Sequence, residues 1–375
     1  MHEVVCSFIR GMNCRILYLV GQLGVGGLER QLYLLLQSID RGRYHPAVAV
    51  WNFSETDFYV AKIRELRVPL YPLPRPCSPT SKLRNFRRLV RECRPEVVHS
   101  YSFYTNVAAW WATVGTQSIA MGAVRIDFTD DKKLSGLVLG RLSARWPTKQ
   151  IYNNFLAAEK ALNCRTPFAP KQIFVVRNGL DLERFRNIPL STNGQTRVLG
   201  VGSLLAYKRW DRLIRAALHL KQRGVHCVVE IAGGGPLRES LEQQALDLEI
   251  ADRVRFAGHT DDVPSLMSTS TLLAHTSDVE GCPNVIMEAM ACGRAVVATD
   301  AGDIPSLIDD GKTGFVVRRG DDAKLVERLA TVITNPDLCR QMGEAGRAKA
   351  EREFGLDRLV DGTLAAYRAA GWTGS

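Results

Sequence analysis

The chain has 375 residues, 46% of them hydrophobic and 23% charged, with a formal net charge of +10. That length exceeds what a single hydrophobic core usually serves, so two domains are expected, and the composition is that of an ordinary soluble globular protein. No apolar run approaches the roughly eighteen residues needed to span a bilayer, and VVCSFI is too short for a signal-peptide core. Met12 opens a more conventional start, so residues 1–11 are expected to be a loose extension or a start-site artefact. Nine cysteines, an odd number without C-x-x-C spacing or clustered histidines, argue against a disulfide framework or a zinc site and favour a reducing cytoplasm. The charge is uneven: residues 1–190 carry 27 Lys and Arg against 14 Asp and Glu, and residues 191–375 carry 22 against 25. The first half is therefore expected to meet something anionic, such as nucleic acid, a membrane surface or a phosphorylated acceptor.

Short apolar runs alternate with stretches of helical period along the chain. RILYLV (15–20) precedes LERQLYLLLQSI, and PAVAVW (46–51) precedes a helix-like segment around 60–66. KLRNFRRLVREC (82–93) leads into EVVHS, followed by SIAMGAV (118–124) and QIYN (150–153). The second half offers RVLGVGS (197–203), CVVEIAG (227–233), RVRFAG (253–258), TLLAHT (271–276), AVVAT (295–299) and GFVV (314–317) as strands. Near-continuous apolar strands separated by helices predict parallel α/β sheets. Two such series predict an α/β fold of two Rossmann-like domains, with a boundary in the polar stretch NIPLSTNGQT (187–196). The expected domains are 1–190, 191–354 and a C-terminal helix over 355–375 that packs back on the first.

Three Gly-rich or cationic turns follow strands. Gly24, Gly26 and Gly27 would let backbone approach a phosphate at a helix N-terminus, although Glu29 breaks the dinucleotide fingerprint and no ribose-binding acid ends the second strand. Tight turning alone explains these glycines equally well. Lys208 and Arg209 begin a helix, against its dipole, which an anionic ligand would offset; a solvated Lys-Arg pair is the plainer account. Gly233, Gly234 and Gly235 precede Pro236 in a turn that suits either a ligand or close packing.

EGCPNVIMEAMACG (280–293) reads as a loop at a strand's C-terminal end followed by a helix from about Pro283 to Cys292. Glu280 lies in the loop and Glu288 a turn inside the helix, separated by the N–H donors around Cys282–Val285. A carboxylate suits a pair of hydroxyls, so two of them flanking such donors fit a diol, a diphosphate and another diol, as in a nucleoside-diphosphate sugar. The plain alternative is a solvated acid on an ordinary helix.

These residues resemble the E-x7-E region of the retaining glycosyltransferases of family 4, which have two Rossmann-like domains with sheets facing across a cleft, the GT-B arrangement. The likeness extends, in the family's order, to GVGGLER, VRNGLDLERF, VGSLLAYKRWDRLI, IAGGGPLR and GHTDDVPSLM. It implies that Glu280 contacts the transferred sugar, Glu288 the ribose and Lys208 the diphosphate as it leaves. It further implies donor contacts at Gly26, Gly27, Gly233, Gly234, Cys282, Pro283, Asn284 and Val285, a nucleobase loop at His259 and Thr260, and no bound metal or cofactor. Two positions depart from the pattern. The strand-end H-x-H is His99 and Tyr101, which leaves Tyr101, Tyr104 or Arg125 to occupy the acceptor side; His99 itself reads as structural. The arginine of V-G-R-L is Ser203, with Arg209 as its possible substitute.

The expectation is a cytoplasmic enzyme, peripheral on the inner membrane face, moving a hexose from a UDP or GDP donor to a glycan or lipid-linked acceptor with retention. A GT-B module that binds nucleotide sugar without transfer is the alternative. A nicotinamide dehydrogenase is disfavoured by the broken fingerprint, and nucleic-acid binding explains none of the second-half motifs. The basic face of KLRNFRRLVREC is a candidate for anionic lipid, although a solvated surface helix explains it as well.

Overall fold

A computed structural model describes residues 14–73, 78–126, 128–164, 166–189 and 195–374. The expected extension at 1–11 lies outside the described residues, as does part of the 187–196 stretch. The chain divides into two compact units, Met1–Gly179 with Leu356–Ser375, and Leu180–Gly355.

The first unit holds a parallel sheet of β1 (Ile16–Val20), β2 (Pro46–Val50), β3 (Leu70–Pro72), β4 (Val97–Ser100), β5 (Ile119–Val124), β6 (Lys149–Tyr152) and β7 (Gln172–Val175). Its helices are α1 (Gly27–Ser38), α2 (Arg41–Tyr44), α3 (Phe58–Glu65), α4 (Pro79–Cys93), α5 (Asn106–Thr113), α6 (Phe128–Leu134), α7 (Leu137–Arg145) and α8 (Phe155–Leu162). The strand order β3-β2-β1-β4-β5-β6-β7 reverses between β1 and β4. β1 and β2 are buried at every position, which explains their uninterrupted apolar runs. β3 and β7, three and four residues long, carry no comparable apolar run and were not expected.

The second unit repeats the plan with β8 (Arg197–Val201), β9 (Val228–Ala232), β10 (Val254–Gly258), β11 (Leu272–His275), β12 (Ala295–Thr299) and β13 (Gly314–Val317). The sheet order is β10-β9-β8-β11-β12-β13, with every neighbouring pair parallel. Its helices are α9 (Trp210–Gln222), α10 (Arg238–Asp247), α11 (Val263–Ser268), α12 (Asn284–Ala291), α13 (Ile304–Leu307), α14 (Asp322–Thr334) and α15 (Pro336–Glu353). The units part at Gly179 and Leu180, ahead of the polar stretch, because Leu180 and Phe185 are buried in the core of the second unit.

The last helix, α16 (Leu356–Ala369), belongs to the first unit. Leu359, Leu364, Tyr367 and Trp372 are buried in one cluster with Ile16, Tyr18 and Val97. Tyr367 Oη lies 2.7 Å from His99 Nδ1, linking this helix to β4. Removing a buried hydrogen-bond partner costs about 1–3 kcal/mol. Tyr367→Phe should therefore lower the stability of the first unit by that amount, read as a shift in its urea midpoint at unchanged slope.

Candidate functional site

Ligands of open α/β sheets bind beyond the carboxyl ends of the strands where the strand order reverses. In the second unit that point lies between β8 and β11, and the loops leaving these two strands bring Lys208 and Glu280 together. Lys208 Nζ donates to Glu280 Oε1 at 2.6 Å, and both side chains are largely buried. Thr276, just past β11, fixes the approach: its hydroxyl donates to the carbonyls of Lys208 and Arg209 at 3.0 Å each. The Asp278 N–H bonds the Tyr207 carbonyl at 2.8 Å, closing the same pair of loops.

His275, at the end of β11, completes the cluster and was not foreseen. Its Nε2 lies 2.8 Å from the same Glu280 oxygen and 3.2 Å from Ser277 Oγ, with the ring fully buried against the edge of Trp210. The signal for it was a lone histidine ending a strand at the reversal point, five residues before the acid. Burial by itself would raise the Glu280 carboxyl; the His275 ring and the Lys208 ammonium outweigh it and hold the group down to about 2. Glu280 is thus an anion at any physiological pH, held by two donors on one oxygen.

The backbone around Glu280 is tightly fitted. Gly302, at φ +55°, lies so close to the carbonyls of Glu280 and Gly281 that a side chain would collide with both. The Asp303 N–H bonds the Gly281 carbonyl at 3.0 Å. After the loop, Pro283 stands at the N-cap of α12 without a side-chain capping bond, and half-buried Asn284 and Val285 form the first positions of the helix. Helix N-termini favour anions. Cys282 is buried with Sγ 3.8 Å from Met287 Sδ. Glu288 lies on α12 as expected, but its side chain is buried at 3% exposure instead of solvated.

Other expected donor residues fall into place less directly. The Arg209 guanidinium binds Asp211 at 3.1 Å and Asp278 at 2.7 Å. These bonds raise its pKa, and the conflict with the α9 dipole is resolved inside the chain, with no ligand required. Gly233, at φ +152°, packs against the Gly202 carbonyl, and Gly234 accepts from the Leu204 N–H at 2.9 Å, so close packing of two strand-end loops accounts for both. His259 is exposed, with Nε2 3.7 Å from Asp261 Oδ1. Thr260 Oγ1 accepts from the Asp262 N–H at 3.0 Å, shaping the turn that opens α11.

The first unit has its own reversal, between β1 and β4. Gly26 and Gly27 begin α1, where the Glu29 carboxylate folds back against Gly26. Burial raises the Glu29 pKa, opposed by its own backbone N–H and reinforced by Asp57. The carboxylate thus lies where a bound anion was expected. Tyr101, expected among the reacting groups, is 1% exposed, packed beside Tyr18 and His99, with the Arg125 guanidinium 4.0 Å over its ring. His99 is buried: burial first, and Arg125 second, drive its pKa well below the usual range, so the ring is neutral. Arg125 directly follows β5, with its N–H 3.4 Å from Asp131 Oδ2. Tyr104 remains partly exposed, its hydroxyl over Gly21 and 3.4 Å from Asn52 Nδ2.

Among the described residues, no group of three or more His, Cys, Asp or Glu side chains could hold a metal ion, and no helix is long and apolar enough to cross a membrane.

The paired parallel sheets define a GT-B fold, and solved structures agree. Anabaena HepE in complex with UDP superposes with a TM-score of 0.82 over 95% of this chain and 100% of that one, at 18% identity. The lipopolysaccharide outer core galactosyltransferase WaaB gives 0.79 over 95% and 99%, at 17% identity. Residues 26–150 match the glycosyl transferase 4-like domain, and residues 181–349 match glycosyl transferases group 1. With these two matches, the chain is a GT-B protein of the family-4-like glycosyltransferases.

Alpha-D-kanosaminyltransferase of Streptomyces kanamyceticus is 35% identical over 46% of this chain and 46% of its own length. A GDP-mannose-dependent alpha-(1-6)-phosphatidylinositol monomannoside mannosyltransferase of Mycolicibacterium smegmatis is 32% identical over 45% and 49%. The chain thus spans about half the length of these curated relatives.

The Glu280 cluster predicts a pH signature. The folded pKa lies below the ordinary 4.5, so the stabilisation is complete above about pH 4.5 and is lost as pH falls toward 2. The shift corresponds to about 3 kcal/mol at neutral pH. Glu280→Gln should lose stabilisation of that order at pH 7, and the gap to the wild type should close by about pH 2, measured by denaturant titration across pH.

Proposed function

We propose that the chain transfers a hexose from a UDP or GDP donor to a glycan or lipid-linked acceptor, with retention of configuration and without a bound metal. The observation that carries this reading is the buried Lys208–Glu280–His275 cluster at the strand-order reversal, beside the α12 N-terminus. Without donor, Glu280 and Lys208 neutralise each other. With donor, the Lys208 ammonium turns to the diphosphate and lowers the cost of the negative charge that develops as the nucleotide leaves. The α12 N-terminus adds the positive end of its helix dipole, so the positive charge a metal would supply comes from the chain.

Glu280, relieved of one partner and still held by His275, accepts hydrogen bonds from the sugar hydroxyls. Because it stays ionised, its role is to orient the sugar and to stabilise positive charge at the anomeric centre. It does not supply a proton. Glu288 takes the ribose hydroxyls. Gly233, Gly234, His259 and Thr260 flank the nucleotide, and the basic first half receives the acceptor. Support comes from the HepE complexes with UDP and UDP-glucose and from the GDP-mannose dependence of the mycobacterial relative. A cytoplasmic protein at the inner membrane face fits a lipid-linked acceptor.

A binding module without transfer is the second reading, favoured by one observation: Tyr101 and His99, where the family pattern has its two histidines, are both buried in the core. A thermal-shift screen of nucleotide sugars followed by turnover of the stabilising donor separates the two, since a ligand of the folded state raises its stability. Donor binding with turnover is expected; tight nucleotide binding with no transfer or donor hydrolysis would favour the module. Glu280→Gln should lower kcat by about two orders of magnitude or more, and Glu288→Gln should mainly raise the donor Kd, by about tenfold. Negligible effects of both would defeat the assignment.

A further inference from the structure

Helix α7 is amphipathic in the reverse of the usual sense. Its small residues Gly140, Ser143 and Ala144 are buried, while Leu137 and Val138 are 71% and 70% exposed and Leu142 is 38% exposed. The cause is close packing on α6: Gly140 sits against the Lys132 carbonyl, where a Cβ would collide. With the small side chains consumed by that contact, the large apolar ones have only the outward face. Leu134, at the end of α6, is 78% exposed, and Leu162 on α8, which packs on α6, is 71% exposed. Single exposed leucines are ordinary, but this many on one helix pair is not.

The cations of the segment accompany them. Lys133 and Arg141 are exposed, and Lys132 and Arg141 lie over the Phe168 ring at 6.0 and 5.4 Å. Residues 128–149 hold five Lys and Arg against two Asp, Asp130 and Asp131.

We propose that the α6–α7 face is a docking surface for an anionic lipid bilayer. Leu134, Leu137, Val138 and Leu142 enter the boundary between headgroups and acyl chains, and Lys133 and Arg141 meet lipid phosphates. A helix that lies in the interface plane needs this combination of outward apolar residues and cations. A second copy of the chain fits less well, because a two-fold contact through this face would set Arg141 and Lys133 against their own kind. The basic α4 is a weaker candidate. Its Phe86, Leu89 and Val90 are buried, Arg87 donates to the Val114 carbonyl, and Arg88 pairs with Glu92, so it offers charge but no apolar face.

The surface is tested by flotation of the full chain with phosphatidylcholine vesicles, with and without about 30 mol% phosphatidylglycerol. Neither donor nor acceptor is present, so the outcome is independent of the proposed transfer reaction. Binding is expected only with the anionic lipid, weakening with salt and falling at least about tenfold in Leu137→Ser/Val138→Ser. Leu134→Ser, on the neighbouring helix, should lower it as well and serves where the double variant fails to fold, as judged by circular dichroism. Absence of binding to anionic vesicles would overturn the proposal. So would binding unchanged by these substitutions but abolished by Arg84→Gln/Arg91→Gln on α4, or a concentration-dependent dimer that the serine variants dissolve.

Discussion

The Lys208–Glu280 ion pair is the constraint around which the second unit is arranged. Two opposite charges can be held 2.6 Å apart in a largely buried position only if the backbone brings them there without freedom to separate. The reversal of strand order between β8 and β11 does this, because the loops leaving these two strands turn to opposite faces of the sheet and open a crevice between them. Thr276 then ties the two loops together, and Gly302 allows a third loop to press against the backbone of Glu280. His275 shares the carboxylate oxygen with Lys208, so when the ammonium turns to another anion the acid still has a partner.

The first unit repeats the topology with a different result. Its reversal point is filled from within: Glu29 covers Gly26, and Tyr101 and His99 are enclosed with Tyr18 and Tyr367. The last contribution comes from α16, separated from the rest of the unit in sequence by the whole of Leu180–Gly355, whose Tyr367 hydroxyl bonds the His99 ring. That closure makes His99 a neutral core residue. The same unit spends its small residues on the α6–α7 contact and turns large apolar side chains outward, so packing demands inside the fold determine what its surface can meet.

Much of this was legible in the sequence because strand burial is written in apolar runs. ILYLV, PAVAV, AVVAT and GFVV are strands where expected, and the E-G-C-P-N segment is a loop feeding a helix that begins at Asn284. β3 and β7 escaped because short edge strands bury too little to leave a pattern. The division at Gly179 was displaced from the polar stretch because polarity reports solvent contact, whereas the boundary follows the packing of Leu180 and Phe185.

The sequence by itself determined the alternation of strands and helices, the two-sheet plan, and the placing of Lys208 and Glu280 each in a loop just after a strand. These are local properties, set by side-chain periodicity and turn chemistry. Tertiary structure alone decided which charges meet. Lys208 and Arg209 are neighbours with the same charge, yet one reaches Glu280 and the other is bound by Asp211 and Asp278. His275 meets Glu280, and Tyr101 is enclosed in the core, for the same reason. Whether a polar side chain at a strand end is available to a ligand depends on what distant segments pack over it, and no pattern of neighbours in the chain encodes that.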